Sequence, residues 1–504
     1  MKKKVNSWSV LCFRHQNGKM FNSKEKALHS TALQHRSAAG AETFSRAAAS
    51  LPAVSAGKTN AGGQVVQRAI GFEYETNAGT YLAAGPLTMA QRQNPALPPG
   101  TNPLAKGTVI VGGMGGLSAK ADLSAGGGSN LELETNHFPE TAGGRNSLNN
   151  ALKKLERFCN LLNNQAGNQP HFRSSHLATA FGGNAPVSNR YIHVTNAVNG
   201  NPQASVGIAL DKLEKLMERT AGGPTGGPLA VPVGAPMSRI ELGVQAANVA
   251  DFGIVGDAPR HVRQGIVNYV AAYAGPPALP GGFPSAQLVG LSALILTYIV
   301  KGSSVGPLAY AKQIAPLMAR TDFGSMFTQD IPPGEQAFLS AGGGVAFLAM
   351  MTQALLSAGV AGGMGVQLFG VDPANAPGAG LSGNLTRQAW VAGISQGNDL
   401  LTTPTFPHAA AGPQLFGLGA MGPHHEHVDP AGANVLAPVF ELRRIRQGVL
   451  PHEFTEMAMG IFDHIVALNS AGPGAAHVPY NQVARNVKNP TKLQNLGYNI
   501  AGGI

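Results

Sequence analysis

Charge is scarce in this chain. Asp, Glu, Lys and Arg make up only 12% of its 504 residues, about half the usual share of roughly 25%. A surface wetted by ion pairs is therefore excluded, and any short stretch where acidic residues recur stands out. Cysteine is scarcer still. Cys12 and Cys159 are the only two, which excludes a disulfide framework and a CxxC-type metal site. A secretory h-region is missing as well: Met1-Lys2-Lys3-Lys4 leads into Val5-Asn6-Ser7-Trp8-Ser9 and soon Arg14-His15, with no apolar run of the required length. The apolar run at 288–300 is too short to span a bilayer. Residues 336–371 carry no charge at all, and 345–368 approaches spanning length. Thr352, Gln353, Ser357 and four glycines interrupt that stretch, which favours a buried helix hairpin over a membrane span.

What is present is glycine (66), proline (35) and an ordinary 43% of hydrophobic residues. The mixture describes a globular protein with many turns and long loops, large enough for one large or two moderate domains. The net charge of +10 is concentrated at one end: residues 1–50 hold nine Lys/Arg against two Asp/Glu. The remaining body is nearly neutral, which argues against nucleic acid as its partner. Residues 1–66 read as a basic, disordered leader, a dispensable extension or a loading and targeting segment. The body is expected over 67–470, with a Gly/Pro-rich insertion near 220–285, and 471–504 as a C-terminal tail.

Within the body, residues 65–75 alternate apolar and charged side chains with period two, which predicts a half-buried strand. Further strands are expected at 108–111, 130–135, 191–195 and 438–445. Helical spacing of Leu148, Leu152, Leu155, Phe158 and Leu162 predicts an amphipathic helix, and 204–218 a second. More helices are expected at about 287–300, 308–319, 335–358 and 451–469. Such scattered strands and helices favour an α+β fold over a regular βαβ array.

Alternation decides which side chains share a face. Glu73 and Glu75 lie opposite Phe72 and Tyr74, Glu132 and Glu134 opposite Leu131 and Leu133, and Glu441 and Arg443 opposite Phe440 and Leu442. If these strands join one sheet, their charges converge on its polar face. Carboxylates so gathered repel one another unless a cation sits among them, and hard divalent ions take oxygen ligands. For any single strand, a solvated outer face is the bland explanation. Three such strands in so uncharged a chain shift the balance towards function.

Gly71-Phe72-Glu73-Tyr74-Glu75, Asp122 with Asn130–Pro139, and Phe440-Glu441-Leu442-Arg443 resemble the acidic strands of the amidoligase branch of the glutamate–cysteine ligase/glutamine synthetase superfamily. Tyr191–Val194 and Pro202–Ser205 stand where such proteins often carry a His- or Gln-bearing strand and turn. The resemblance implies a curved antiparallel sheet with an acidic concave face, ATP and Mg²⁺ as cofactors, and amide formation through an acyl-phosphate. Glu73, Glu75, Glu132 and Glu134 would then be metal ligands. Glu73, Glu441 and Arg443 would be catalytic, with Arg443 and Arg320 on the phosphates. The substrates would be a carboxylate and an amine, each on a small molecule or a protein. Leu442 replaces the usual aromatic. The junction at 65–68 is similar to polymorphic bacterial proteins associated with contractile injection systems, which would make the chain an effector exported from the bacterial cytoplasm by a non-Sec route.

Other motifs carry less. His424-His425-Glu426-His427 with Asp429 offers borderline-metal ligands at a spacing that matches no closed zinc motif, so a solvated loop is the plainer expectation. Arg320 and Asp322 are expected as a helix-end ion pair or as a lining of the site. Gly112–Lys120 fits neither phosphate-loop pattern and reads as a flexible hairpin or lid. Neither a G-x-S-x-G elbow nor an H-E-x-x-H motif is present. The rival reading is a non-catalytic toxin or binding protein that uses 336–371 against a membrane or partner.

Overall fold

In the computed structural model the described residues are 70–123, 128–220, 249–304, 317–366, 386–398, 423–428, 435–443 and 447–470. The leader, the C-terminal tail, Asp429 and most of the 308–319 segment lie outside them. The fold is α+β, as expected: one antiparallel sheet with helices on its apolar face.

The sheet is organised around β1 (Ile70–Leu82). Ile70, Phe72 and Tyr74 turn to the core and are almost wholly buried. β1 pairs on one side with β5 (Ser129–Thr135), which is itself bordered by β4 (Leu117–Leu123) and then β3 (Val109–Val111). On its other side it pairs with β8 (Gly200–Gly207), followed by β11 (Val435–Leu442) and β10 (His425–Val428). β9 (Leu317–Ala319) also pairs with β11. The far end of β1 pairs with β7 (Arg190–His193), which continues to β6 (His171–Arg173), and with β2 (Asn102–Pro103).

The helices include α1 (Met89–Gln93), α2 (Ala142–Ala166), α3 (Ser174–Phe181), α4 (Leu210–Thr220), α5 (Val249–Ala272) and α6 (Ala286–Ser304). After them come α7 (Phe323–Asp330), α8 (Pro333–Ser357), α9 (Arg387–Ser395) and α10 (Pro451–Ser470). α2 buries the leucine stripe legible in the sequence: Leu148, Leu152, Leu155, Phe158 and Leu162 are all inaccessible. α10 packs against it and against the sheet, where Phe454 stacks on Tyr74 with ring centroids 4.7 Å apart. The Tyr74 hydroxyl donates to the Val449 carbonyl at 2.5 Å, so β1 is pinned from its apolar side.

Three sequence expectations change in detail, and a fourth resolves between its two alternatives. Residues 200–207 form a strand, and the helix placed over 204–218 begins only at Leu210. Pro202 hid this strand: proline gives no ladder N–H and is unusual between two partners, yet it faces Tyr74 across the pair with β1. The glycine-rich stretch, read as a flexible hairpin or a lid, is the hairpin turn between β3 and β4, its Met114 carbonyl accepting from Lys154 Nζ at 3.1 Å. Residues 317–319, placed at the end of a helix, are strand β9. Residues 249–272, within the stretch read as an insertion, form a helix.

The uncharged region is helical and interrupted. α8 is long and apolar enough to cross a membrane by length and composition, the one such helix among the described residues. It is broken at Ala341–Gly344, where Gly342, Gly343 and Gly344 hold φ values of 60°, 78° and 86°, a region that costs glycine little. Phe347, Met350, Met351, Ala354 and Leu355 beyond the break are buried.

Candidate active site

The register of the sheet carries the acidic strands to one place. Residues directly opposite in an antiparallel pair share a face. Glu75 lies opposite Glu132, and Glu132 opposite Lys120; Glu73 lies opposite Glu134, and Glu134 opposite Ser118. Across the other edge of β1, Glu73 faces Gln203 and Gly71 faces Ser205, which in turn faces Glu441. The polar face therefore runs unbroken from Asp122 on β4 to Glu441 on β11, backed by the apolar core.

Two groupings form on this face. In the first, carboxylate oxygens of Glu75, Asp122 and Glu132 lie within 4.8 Å of one another. Burial, then the neighbouring Asp122 carboxylate, raise the Glu132 pKa. Gln203, only 5% exposed, donates its amide N–H to Glu75 Oε1. Its own carbonyl oxygen is buried without a hydrogen-bond partner. An unpaired buried oxygen is costly, and on the side chain that hydrogen-bonds Glu75 it adds to the three carboxylates a further oxygen of the kind a hard divalent cation accepts. The residues present therefore fit such an ion.

In the second, Glu441 is buried between two guanidiniums. Arg443 Nε lies 3.1 Å from Glu441 Oε1 and Arg320 Nη1 3.4 Å from Oε2. Arg443 also comes within 3.8 Å of Glu75, which links the two groupings. Glu73 stands between them. Burial, then the charges of Glu441 and Glu132, push its pKa to about 7, against the opposing pull of Arg443 and Arg320.

The residues read from the sequence thus divide. Glu75 and Glu132 come together in the first grouping; Glu73, Glu441, Arg443 and Arg320 meet in or beside the second. Glu134 shares the face but is ion-paired with Lys120. Asp122 and Gln203, present in the quoted motifs, join the site although neither was among the residues given a role. Alternation of Leu117, Ala119 and Ala121 with Ser118, Lys120 and Asp122 was the signal for Asp122; the glycines before it obscured the strand.

The histidines do not converge as a ligand set. His424 Nε2 lies 2.9 Å from Glu426 Oε1, and His425 Nε2 lies 3.0 Å from Asp330 Oδ2. His427 shares a face with His425 along β10, and its Nδ1 is buried without a hydrogen-bond partner. Burial opposes ionisation of Glu426, but hydrogen bonds from His137 and His424 outweigh it and hold its pKa down. His137 lies over Gly71, where any side chain would collide: an added Cβ would stand 2.1 Å from its ring. Asp322, read as one half of a helix-end ion pair, instead caps α7 by accepting from the Ser325 N–H at 2.6 Å. Arg320 turns to Glu441.

No protein-family model matches this chain, and no curated protein is similar to it. Two solved structures show a slight overall likeness. One is a VgrG toxin ACD domain from Vibrio cholerae in complex with ADP and Mn²⁺, at a TM-score of 0.35 and 10% identity, covering 75% of this chain and 94% of that one. The other is a Vibrio cholerae toxin of the MARTX/VgrG family, at a TM-score of 0.33 and 11% identity, with the same coverage. Likeness at this level transfers neither ligand nor activity to the present chain.

Proposed function

We propose that this chain is an ATP- and divalent-metal-dependent carboxylate–amine ligase that forms an amide through an acyl-phosphate, and that it acts as an exported bacterial effector. One observation carries the chemistry: carboxylates from strands far apart in sequence meet on one sheet face beside two guanidiniums and an unpartnered amide oxygen.

On this reading Glu75, Asp122, Glu132 and the Gln203 carbonyl hold the divalent ion, which would neutralise phosphate charge. Arg443 and Arg320, anchored through Glu441, present planar cations to a phosphoryl group. In the reaction a substrate carboxylate oxygen attacks the γ-phosphorus and ADP leaves. The amine nitrogen then attacks the acyl carbon, the C–O bond to phosphate breaks, and phosphate and a proton depart. Glu73, with a pKa near 7, is placed to accept that proton.

The test is ATP turnover by the full chain with panels of amines and carboxylates, following ADP release and amide formation by mass spectrometry. Turnover is expected to need Mg²⁺ or Mn²⁺ and to vanish in the Glu73→Gln/Glu132→Gln double variant. Full turnover in that folded variant would refute the proposal. The effector reading is tested separately by co-purification of the full chain, and of a chain lacking residues 1–66, with an injection-system particle.

A further inference from the structure

The acidic trio already has a cation of its own. Lys106 sits in a turn closed by the Thr108 N–H donating to the Ala105 carbonyl at 3.1 Å. That turn is stitched to β4: Gly107 N–H donates to the Ala121 carbonyl at 2.7 Å, and Ala121 N–H to the Thr108 carbonyl at 2.9 Å. Gly107 takes the left-handed conformation the turn requires, with φ 78°. The fixed backbone delivers the Lys106 ammonium to an ion pair with Asp122, facing Glu132 and Glu75 as well.

We infer that Lys106 is the resident counter-ion of the Glu75–Asp122–Glu132 pocket, and that a divalent cation enters by displacing it. The inference rests on the metal reading of those carboxylates given above. A divalent ion bound to an Asp122 oxygen at about 2.1 Å and an ammonium on the same carboxylate repel strongly, so the two exclude one another. Lys106 is built to leave: its side chain is 43% exposed, and a flexible, strongly hydrated ammonium returns to water readily. The Arg443 side chain, 11% exposed and anchored to Glu441, is not. Lys120 provides an internal contrast. It sits on the same face and pairs with Glu134, which is outside the trio. Lys106 thus keeps the pocket compensated before the metal arrives and sets a threshold for the ion that replaces it.

Mn²⁺ is titrated by calorimetry into the full-length chain and into Lys106→Met, Lys106→Arg and Lys120→Met. Lys106→Met is expected to bind about tenfold more tightly than the unaltered chain, while Lys106→Arg stays within about threefold and Lys120→Met within about twofold. Equal or weaker binding by Lys106→Met overturns the counter-ion role and leaves the metal reading standing. Tighter binding by Lys120→Met to the same degree also overturns it, because a general charge effect would then suffice. If no chain binds Mn²⁺ at millimolar concentration, the metal reading falls and this inference with it. Should Lys106→Met fail to fold, reductive methylation of the unaltered chain gives the second measurement: bound Mn²⁺ is expected to release the Lys106 dimethylammonium NMR signal from its acidic surroundings, and an unmoved signal overturns the role.

Discussion

The two groupings on the polar face hold their carboxylates in opposite ways. Glu441 is sealed between Arg320 and Arg443 and is 4% exposed, so its charge is matched inside the protein. Glu75, Asp122 and Glu132 crowd together with one exposed lysine and a buried amide oxygen left unpaired. The first arrangement is self-sufficient, and a cation would gain little there. The second leaves negative charge for something from outside. Their difference assigns the work: guanidiniums at one end for a phosphoryl group, open carboxylates at the other for a metal, and Glu73 between them.

The comparison breaks most visibly at Arg443. Removing it leaves Glu441 buried with half its compensation, so Arg443→Ala is expected to lose about 3 kcal/mol of stability in urea unfolding. Adding Glu441→Gln should recover much of that loss. If the single variant is as stable as the unaltered chain, the sealed end is not sealed.

Glu73 comes next. Its pKa is raised from the usual 4.5 to about 7, so the folded state holds a proton that the unfolded chain has released between those values. Stability is therefore greatest below about pH 4.5 as far as this group is concerned, and falls as pH rises to about 7. Glu73→Gln should remove roughly 2 kcal/mol of that fall, allowing for partial exposure. Unfolding at pH 5 and pH 8 measures it; identical pH dependence in both proteins would contradict the placement.

At the open end, Asp122→Asn should weaken Mn²⁺ binding about a hundredfold, or about 2.7 kcal/mol, with little change in stability. The smallest effect belongs to Lys120→Met. A half-exposed ion pair with Glu134 is worth under about 1 kcal/mol, and nucleotide turnover should survive its loss.

The sequence announced the charged combs because strands alternate faces and this chain has so few charges to place. It did not announce how they would be sorted. Glu134 looks equivalent to Glu132 along β5, but Lys120, which lies opposite Glu132 on β4, reaches diagonally to pair with Glu134, while Asp122 joins Glu132 in the trio. Asp122 lay in a strand hidden behind glycines, and Gln203 in one hidden by Pro202. Helices with leucine at regular spacing, such as α2, were legible because burial dictates one stripe. Arg320 was read at a helix end because the three-residue strand before it has no period to detect. Cross-strand neighbours are set by long-range pairing, which no local pattern encodes.

The most direct measurement is the melting temperature of the full-length chain with ATP, with Mg²⁺, and with both. The account predicts a rise of several degrees with both together, little with either alone, and none in a Glu75→Gln/Glu132→Gln variant. A chain whose melting temperature ignores every combination, or that responds equally after those two carboxylates are neutralised, would contradict it.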